Sequence, residues 1–300
     1  MADSIHRFLF EDLDIRGALV QLGHAWRELS APRAYPPTVT SLLGETAAVA
    51  ALIAGNLKAE QRLAVQLQGR GAVSLLLMDC QPVRGGPLRL RGMARGDWPT
   101  GGPPGAVPPR LCFEPGANLT DLVGDGKLVL TLYPEEGEAY QSLVPLAGGS
   151  VAEAFEHYLA QSEQQPAHLW LAADAHTACG LFLQRLPGAD ARDADGWNRV
   201  IHLAQTLRAE ELLLPPAELL RRLFPEETVR LFAPRRVEWH CPRDEGKVLD
   251  MLRSLGREEI ELMLEEASSI QIEDEICGQT YRFGPEIVAQ LFQPPSRTLH

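Results

Sequence analysis

The sequence has little that would mark a secreted, membrane-spanning or nucleic-acid-binding protein. Only five of its 300 residues are cysteines, which excludes the disulfide framework of a small secreted domain. The longest apolar run, at 47–55, is far shorter than the ~20 residues that cross a bilayer, and it predicts a buried helix. The N-terminus lacks the basic, apolar and small-residue order of a signal peptide. These absences predict a cytoplasmic protein.

Positive charge is also scarce. Lysine and arginine number 28 against 40 acidic residues, so the formal net charge is −12. Nucleic-acid-binding domains carry a basic face, and this balance therefore argues against nucleic acid as a partner. A membrane partner is not expected either. Apolar residues make up 45% of the chain, which is enough for one large domain or two to three small ones.

The first half of the chain alternates helix and strand signals. Residues 36–58 have apolar residues at helical spacing, whereas 62–80 alternate around a Gly-Arg-Gly turn as a hairpin does. Further strands are predicted at 88–95, 127–134, 140–146, 168–174 and 179–187, and a capped amphipathic helix at 150–166. Strands in hairpins with helices packed on them indicate an α+β fold, and we assign residues 1–187 to this N-terminal domain.

Residues 188–236 are predicted to form a metastable helical linker. Its helices are short, charged and interrupted by Pro215 and Pro216, and isolated helices of this length are marginal in water. Their apolar faces must therefore dock on another surface, and we expect that docking to be weak and reversible. Residues 237–292 predict a small C-terminal α+β domain with a hairpin through Cys277, and residues 293–300 predict a disordered tail.

The usual catalytic and metal-binding motifs are missing from the sequence. The stretch GDGK at 124–127 lacks the spacing of a phosphate-binding loop, and neither HExxH nor Gly-x-Ser-x-Gly occurs. Cys80, Cys112 and Cys179 lie beside apolar runs and are interpreted as buried thiols. We therefore assign no catalytic residue and predict that the protein is not an enzyme.

Several stretches of the chain carry a family likeness. They include YPPTVTSLLGE at 35–45, LKAEQRLAVQLQGRG at 57–71, LVGDGKLVLTLYPEEGEAYQSLVPL at 122–146, RRLFPEETVRLFAPRRVEWHC at 221–241 and CGQTYRF at 277–283. In these stretches, which span nearly the whole length in the same order, the sequence resembles the 33 kDa chaperonin family of redox-regulated, ATP-independent heat-shock holdases. The resemblance implies a stress-response chaperone that binds unfolded client proteins, with a homodimer among its expected states.

The resemblance also implies a C-terminal redox hub, in which a Cys-x-Cys and a Cys-x-x-Cys pair bind zinc and oxidation releases it. Here the pairs are CPR at 241–243 and DEIC at 274–277, so Arg243 and Asp274 replace two of the four cysteines. Arginine stays protonated and does not ligate metals. The remaining donors are Cys241, Cys277, Asp274 and His240, and we expect no specific zinc binding.

Two hypotheses follow from these replacements. Arg243 and Asp274 could form an ion pair that holds the hub together without metal, or they could be unrelated surface charges. Thiolates around a tetrahedral zinc lie roughly 3.8 Å apart, so a hub that keeps its fold brings Cys241 and Cys277 together as redox candidates. A disulfide between them would lock the hub by about 3–4 kcal/mol, whereas oxidation unlocks it in the family.

The function predicted from the sequence is therefore that of a chaperone whose zinc-dependent redox switch is lost or altered. The N-terminal domain and the released linker, around 197–224, would capture clients. Two other classes stay open. One is a thiol-based oxidoreductase acting through Cys241 or Cys277, and the other is an adaptor that uses the apolar surface for a single partner.

Overall fold

The structure, a computed structural model, describes residues 3–33, 35–57, 60–98, 118–162 and 164–292. The chain divides into two compact units, Met1–His240 and Cys241–His300. The Cys112 thiol, most of the Pro/Gly-rich loop at 96–110 and the tail at 293–300 lie outside the described residues.

Eleven described strands of the first unit form one mixed sheet. In chain order they are β1 (Ser4–Phe10), β2 (Ile15–Leu22), β3 (Arg62–Gly69), β4 (Val73–Pro82), β5 (Leu88–Gly96), β6 (Gly126–Tyr133), β7 (Tyr140–Pro145), β8 (Ala167–Ala173), β9 (Ala178–Arg185), β10 (Val229–Leu231) and β11 (Arg235–Trp239). Across the sheet the order is β7-β6-β3-β4-β5-β11-β1-β2-β9-β8, and β10 pairs with the end of β1. The predicted α+β fold class is confirmed.

Short and long helices alternate with these strands. They are α1 (His24–Ser30), α2 (Pro37–Asn56), α3 (Leu119–Val123), α4 (Val151–Ser162), α5 (Ala189–Arg192), α6 (Gly196–Ala204) and α7 (Pro216–Leu223), with 3₁₀ turns at Ala31–Arg33 and Ala209–Leu213. At the start of α4, Ser150 Oγ accepts the Glu153 N–H at 3.2 Å, as the predicted cap requires. The Glu153 carboxylate accepts the Gly149 N–H at 2.6 Å, one residue earlier than a capping box would place it.

The first core lies on one face of the sheet, with α2 at its centre. Pro37 opens this helix at the position where its missing N–H is not needed. The helix is rich in alanine, and most of its side chains are buried against the strands. Among the described residues it is the one helix long and apolar enough to cross a membrane by length and composition, and 78% of its window is buried inside the protein. The apolar run at 47–55 is thus the middle of a longer core helix.

The second unit is a small α+β structure with its own core. It contains α8 (Glu245–Leu255), α9 (Arg257–Glu266), the antiparallel hairpin β12 (Ile270–Asp274) and β13 (Gln279–Phe283), and α10 (Glu286–Phe292). Its core consists of Leu252, Ile260, Ile270, Tyr281, Phe283, Ile287 and Leu291. Because β11 joins the large sheet by parallel pairing with β5, residues 237–240 lie with the first unit, although the sequence assigned them to the C-terminal domain.

Candidate functional site

The predicted linker covers the second face of the large sheet. Alternate residues of a strand point to opposite faces, so β1, β2 and β9 present a second apolar set away from α2. The sheet contributes Phe8, Phe10, Ile15, Leu19, Cys179, Leu181 and Leu183, and the linker contributes Val200, Ile201, Ala204, Leu212, Leu219, Leu220, Leu223 and Phe224. We call this cluster the covered face. The linker helices therefore dock on the face of the sheet that is opposite α2.

Phe224 is the aromatic anchor of the linker on the covered face. It follows α7, is only 2% exposed, and meets Phe10 edge to face with ring centroids 4.9 Å apart. Beside it, α7 and β10 leave a groove of about 330 Å³. The linker thus docks through well-packed anchors, with an open groove between α7 and β10.

A buried amide adds a polar clasp to this docking. The Gln21 side chain, on β2, donates to the carbonyls of Leu212 at 2.7 Å and Leu214 at 2.8 Å. These carbonyls lie at the C-terminal end of the linker's 3₁₀ turn and just after it, where helix hydrogen bonds are not available to satisfy them. A polar residue between Val20 and Leu22 was the available sequence signal for this contact, and the sequence interpretation did not use it.

Arginine pairs hold the ends of the linker. Arg199 on α6 donates to Glu227 at 2.7 Å and to Asp193 at 2.9 Å, and these hydrogen bonds raise the pKa of its guanidinium. Arg192 pairs with Asp14 at 2.9 Å. Both arginines are substantially exposed, so each such pair is worth about 0–1 kcal/mol and weakens with salt. The apolar anchors therefore dominate the docking free energy.

A carboxyl group also lies beside the linker, at the sheet edge formed by β8. Glu45 of α2 lines a cavity of about 280 Å³, which Leu207, Arg208 and Leu212 of the linker also line. Burial raises the pKa of Glu45 to about 7. It is the one charged residue within α2, and this was the sequence signal that could have singled it out. Burial thus favours the protonated form of a carboxyl group that shares a cavity with the linker.

The cysteine pair is the second part of the candidate site, and it lies within the second unit. Cys241 and Cys277 form a disulfide, with their Cα atoms 5.7 Å apart. Cys277 lies in the turn between β12 and β13, where Gly278 takes a φ of +63° that side chains disfavour. The structure thus brings together the two redox candidates named from the sequence.

The two replaced positions have separate structural roles, and they do not form the hypothesised ion pair in the described residues. The Arg243 guanidinium lies 4.6 Å from the ring centroid of Tyr281 and donates to the Thr280 carbonyl at 3.3 Å. Asp274 Oδ1 accepts the N–H groups of Ile276 at 3.0 Å and Cys277 at 3.1 Å. Asp274 accepts hydrogen bonds from the backbone of the turn, as aspartate does in Asx turns. Arg243 stacks on the Tyr281 ring and does not contact Asp274.

These separate roles predict additive effects of substitution. We expect Arg243→Ala and Asp274→Ala each to lower the unfolding free energy of the second unit, by about 1 kcal/mol and about 0.5–2 kcal/mol respectively. Hydrogen exchange of the β12–β13 amides in both single variants and the double variant measures this. A coupling energy above about 0.5 kcal/mol would restore the ion-pair hypothesis.

The donor set does not fit a tetrahedral zinc site. Structural zinc needs four thiolate or imidazole ligands, and this unit offers two thiols, Cys241 and Cys277, while Asp274 is engaged with the turn backbone. His240 belongs to the first unit, where its N–H donates to the Leu90 carbonyl at 3.1 Å. Within the described ranges no three His, Cys, Asp or Glu side chains converge.

The other described cysteines are buried thiols. Cys80 and Cys179 are unpaired with any other cysteine, and burial raises the pKa of both, to about 11 for Cys179. Cys179 belongs to the covered face. Thiolate is the nucleophilic form, so neither residue is suited to thiol catalysis while the linker is docked.

The chain is similar to known proteins over its full length. The family model described as "Hsp33 protein" matches residues 3–284. A protein of Pseudomonas paraeruginosa named "33 kDa chaperonin" is 39% identical over 310 residues, covering 100% of this chain and 99% of the relative. A "33 kDa chaperonin" of Nitrosococcus oceani is 40% identical over 291 residues, covering 97% and 94%.

A solved structure shows the same fold. The crystal structure of a 33 kDa chaperonin (heat shock protein 33 homolog) from Thermotoga maritima aligns with a TM-score of 0.78 at 20% sequence identity. The alignment covers 97% of this chain and 98% of that one.

Proposed function

The chain belongs to the Hsp33 family, and we propose from that membership that it is a chaperone that binds unfolding client proteins and keeps them from aggregating. The family assignment does not favour the two alternatives considered from the sequence, a thiol-based oxidoreductase and a single-partner adaptor. ATP-independent holding, a cytoplasmic location, a homodimeric state and the absence of nucleic-acid partners, membrane partners and enzymatic turnover are further parts of the proposal.

The covered face carries the mechanism that we propose. Seven side chains of the sheet and eight of the linker, with Leu13 of the β1–β2 turn, form one buried apolar cluster. When the linker leaves, both halves become exposed together, and a large exposed apolar surface is what binds unfolded chains. Short linker helices are marginal alone, so release frees flexible apolar segments as well as the sheet. Clients would bind the sheet face and the released linker.

Control by zinc release is not part of this proposal. Arg243 and Asp274 hold the hairpin of the second unit through a cation–π contact and turn hydrogen bonds, and packing around Tyr281 supplies its core. This unit therefore depends on packing for the stability that metal binding gives to structural zinc domains, commonly 10 kcal/mol or more. Heating, which weakens linker docking, is the expected trigger.

Light scattering of a heat-denatured client enzyme tests the proposal. Full-length protein is stripped with chelator, reduced, and added at 43 °C without nucleotide, and suppression of aggregation is expected. Metal analysis of the reduced protein as purified, before the chelator step, is expected to find less than 0.1 zinc per chain.

The contradicting outcomes separate the parts of the proposal. No suppression at any temperature or redox state contradicts holdase activity itself. Suppression that appears only after peroxide, together with one zinc per chain beforehand, contradicts the loss of the zinc switch while leaving the chaperone function intact. ATP-dependent suppression contradicts ATP independence.

A further inference from the structure

We propose that Cys241 and Cys277 are a peroxide-reactive thiol pair whose oxidation locks the second unit instead of opening it. The chemistry concerns the pair alone, and only its regulatory consequence rests on the proposed chaperone function. This effect of oxidation is opposite to the oxidation-driven unfolding that the family resemblance implies.

Contacts other than the sulfur–sulfur bond align the two cysteines. Three hydrogen bonds hold the residues at 241–244 along β13. They connect the Gln279 amide to the Cys241 carbonyl (2.7 Å), the Arg243 guanidinium to the Thr280 carbonyl (3.3 Å) and the Asp244 N–H to the Tyr281 hydroxyl (3.0 Å). Because they are independent of the disulfide, they keep the thiols aligned in the reduced protein too. The Cα separation of 5.7 Å is within the usual disulfide range.

The two thiols differ in solvent exposure, and this difference determines which of them reacts first with peroxide. Cys241 is buried, at 7% exposure, whereas Cys277 is partly exposed in the hairpin turn. The Cys277 thiolate attacks hydrogen peroxide, the O–O bond breaks, and a sulfenic acid and water form. The Cys241 thiolate then attacks the sulfenic sulfur and displaces hydroxide, which leaves as water. Two thiols and one peroxide thus give one disulfide and two waters, and two electrons pass from sulfur to peroxide.

The disulfide covalently joins the first residue of the second unit to the β12–β13 hairpin. Cys241 begins the second unit and α8 begins at Glu245, so the residues between them must detach from β13 when the unit opens at this end. A bond between residues separated by 36 positions removes chain entropy from the opened state. Opening should become roughly 100- to 1000-fold rarer. A cellular thiol such as glutathione reverses the bond by exchange.

Hydrogen exchange and peptide mapping of the full-length protein test this. The protein is reduced with a phosphine, freed of it, and treated with hydrogen peroxide or buffer. We expect a Cys241–Cys277 linked peptide only after peroxide, and exchange of the slowest amides at 241–255 and 270–283 slowed by roughly 100-fold or more. Cys241→Ser and Cys277→Ser, and wild-type protein blocked with iodoacetamide before peroxide, should show no slowing.

Two results overturn the proposal. One is peroxide-treated protein in which both cysteines stay unlinked or react separately. The other is a cross-link that leaves exchange unchanged or makes it faster. Neither readout uses a client, so these failures are distinct from failure of the proposed chaperone function, which would leave client aggregation unsuppressed in both redox states.

Discussion

Phe224→Ala should undock the linker and make the protein an active chaperone without heat. The side chain is 2% exposed and packs edge to face on Phe10, so truncation removes its burial and leaves a cavity in the covered face. Phenylalanine-to-alanine changes in cores cost about 3–5 kcal/mol. Linker docking is the weaker of the interactions in the first unit, since its helices are short and its ion pairs exposed. Most of this loss should therefore lower the free energy of linker docking and not the stability of the sheet.

Hydrogen exchange of residues 196–224, together with client aggregation at 25 °C, measures the effect. Exchange there should speed up at least 100-fold, while amides of α2 in the first core stay protected and show that the sheet remains folded. Leu213→Ala is the matched control, because Leu213 lies in the same linker and is 44% exposed. It should change both readouts little. Undocking without any gain in aggregation suppression would refute the covered face as the client site.

The sequence was most informative where periodicity and turn chemistry act locally. The hairpin at 62–80 and the helix at 36–58 follow from alternation and from helical spacing, and the structure has both, as β3–β4 and α2. The pair β1–β2 was missed because β2 is buried along most of its length and shows little alternation. The predicted domain boundary at 236/237 falls within β11, because the parallel pairing of β11 with β5 joins residues about 150 positions apart, which no local pattern encodes.

In the candidate site, too, the sequence predicted the positions of the residues but not the contacts that depend on tertiary structure. Family likeness located Cys241 and Cys277 and the replacements at Arg243 and Asp274. Charge alone suggested that the latter two would meet, yet Tyr281 offered Arg243 an aromatic face and the turn backbone offered Asp274 two donors. Those alternatives depend on how the hairpin folds. The Gln21 clasp on the linker likewise joins residues roughly 190 positions apart, beyond any motif.

Glu45→Gln should remove a pH dependence from linker docking. Burial raises the pKa of Glu45 from its ordinary value of 4.5 to about 7, so the fold favours the protonated form. The folded state then holds more protons than the unfolded state between these values, and stability falls as pH rises from about 4.5 to 7. The full interval corresponds to about 3 kcal/mol. We expect about 1–3 kcal/mol of this interval to act on linker docking.

Exchange rates of the linker amides at pH 5.5 and pH 8, corrected for intrinsic rates, measure this dependence. Wild-type protein should open its linker at 207–213 more readily at pH 8 and suppress client aggregation better there. In Glu45→Gln the neutral amide cannot ionise, so the extra opening at pH 8 should disappear while opening at pH 5.5 stays close to wild type. Glu138→Gln makes the same change at an exposed position and should retain the wild-type profile. An identical pH profile in wild type and Glu45→Gln would show that this carboxyl does not control the linker.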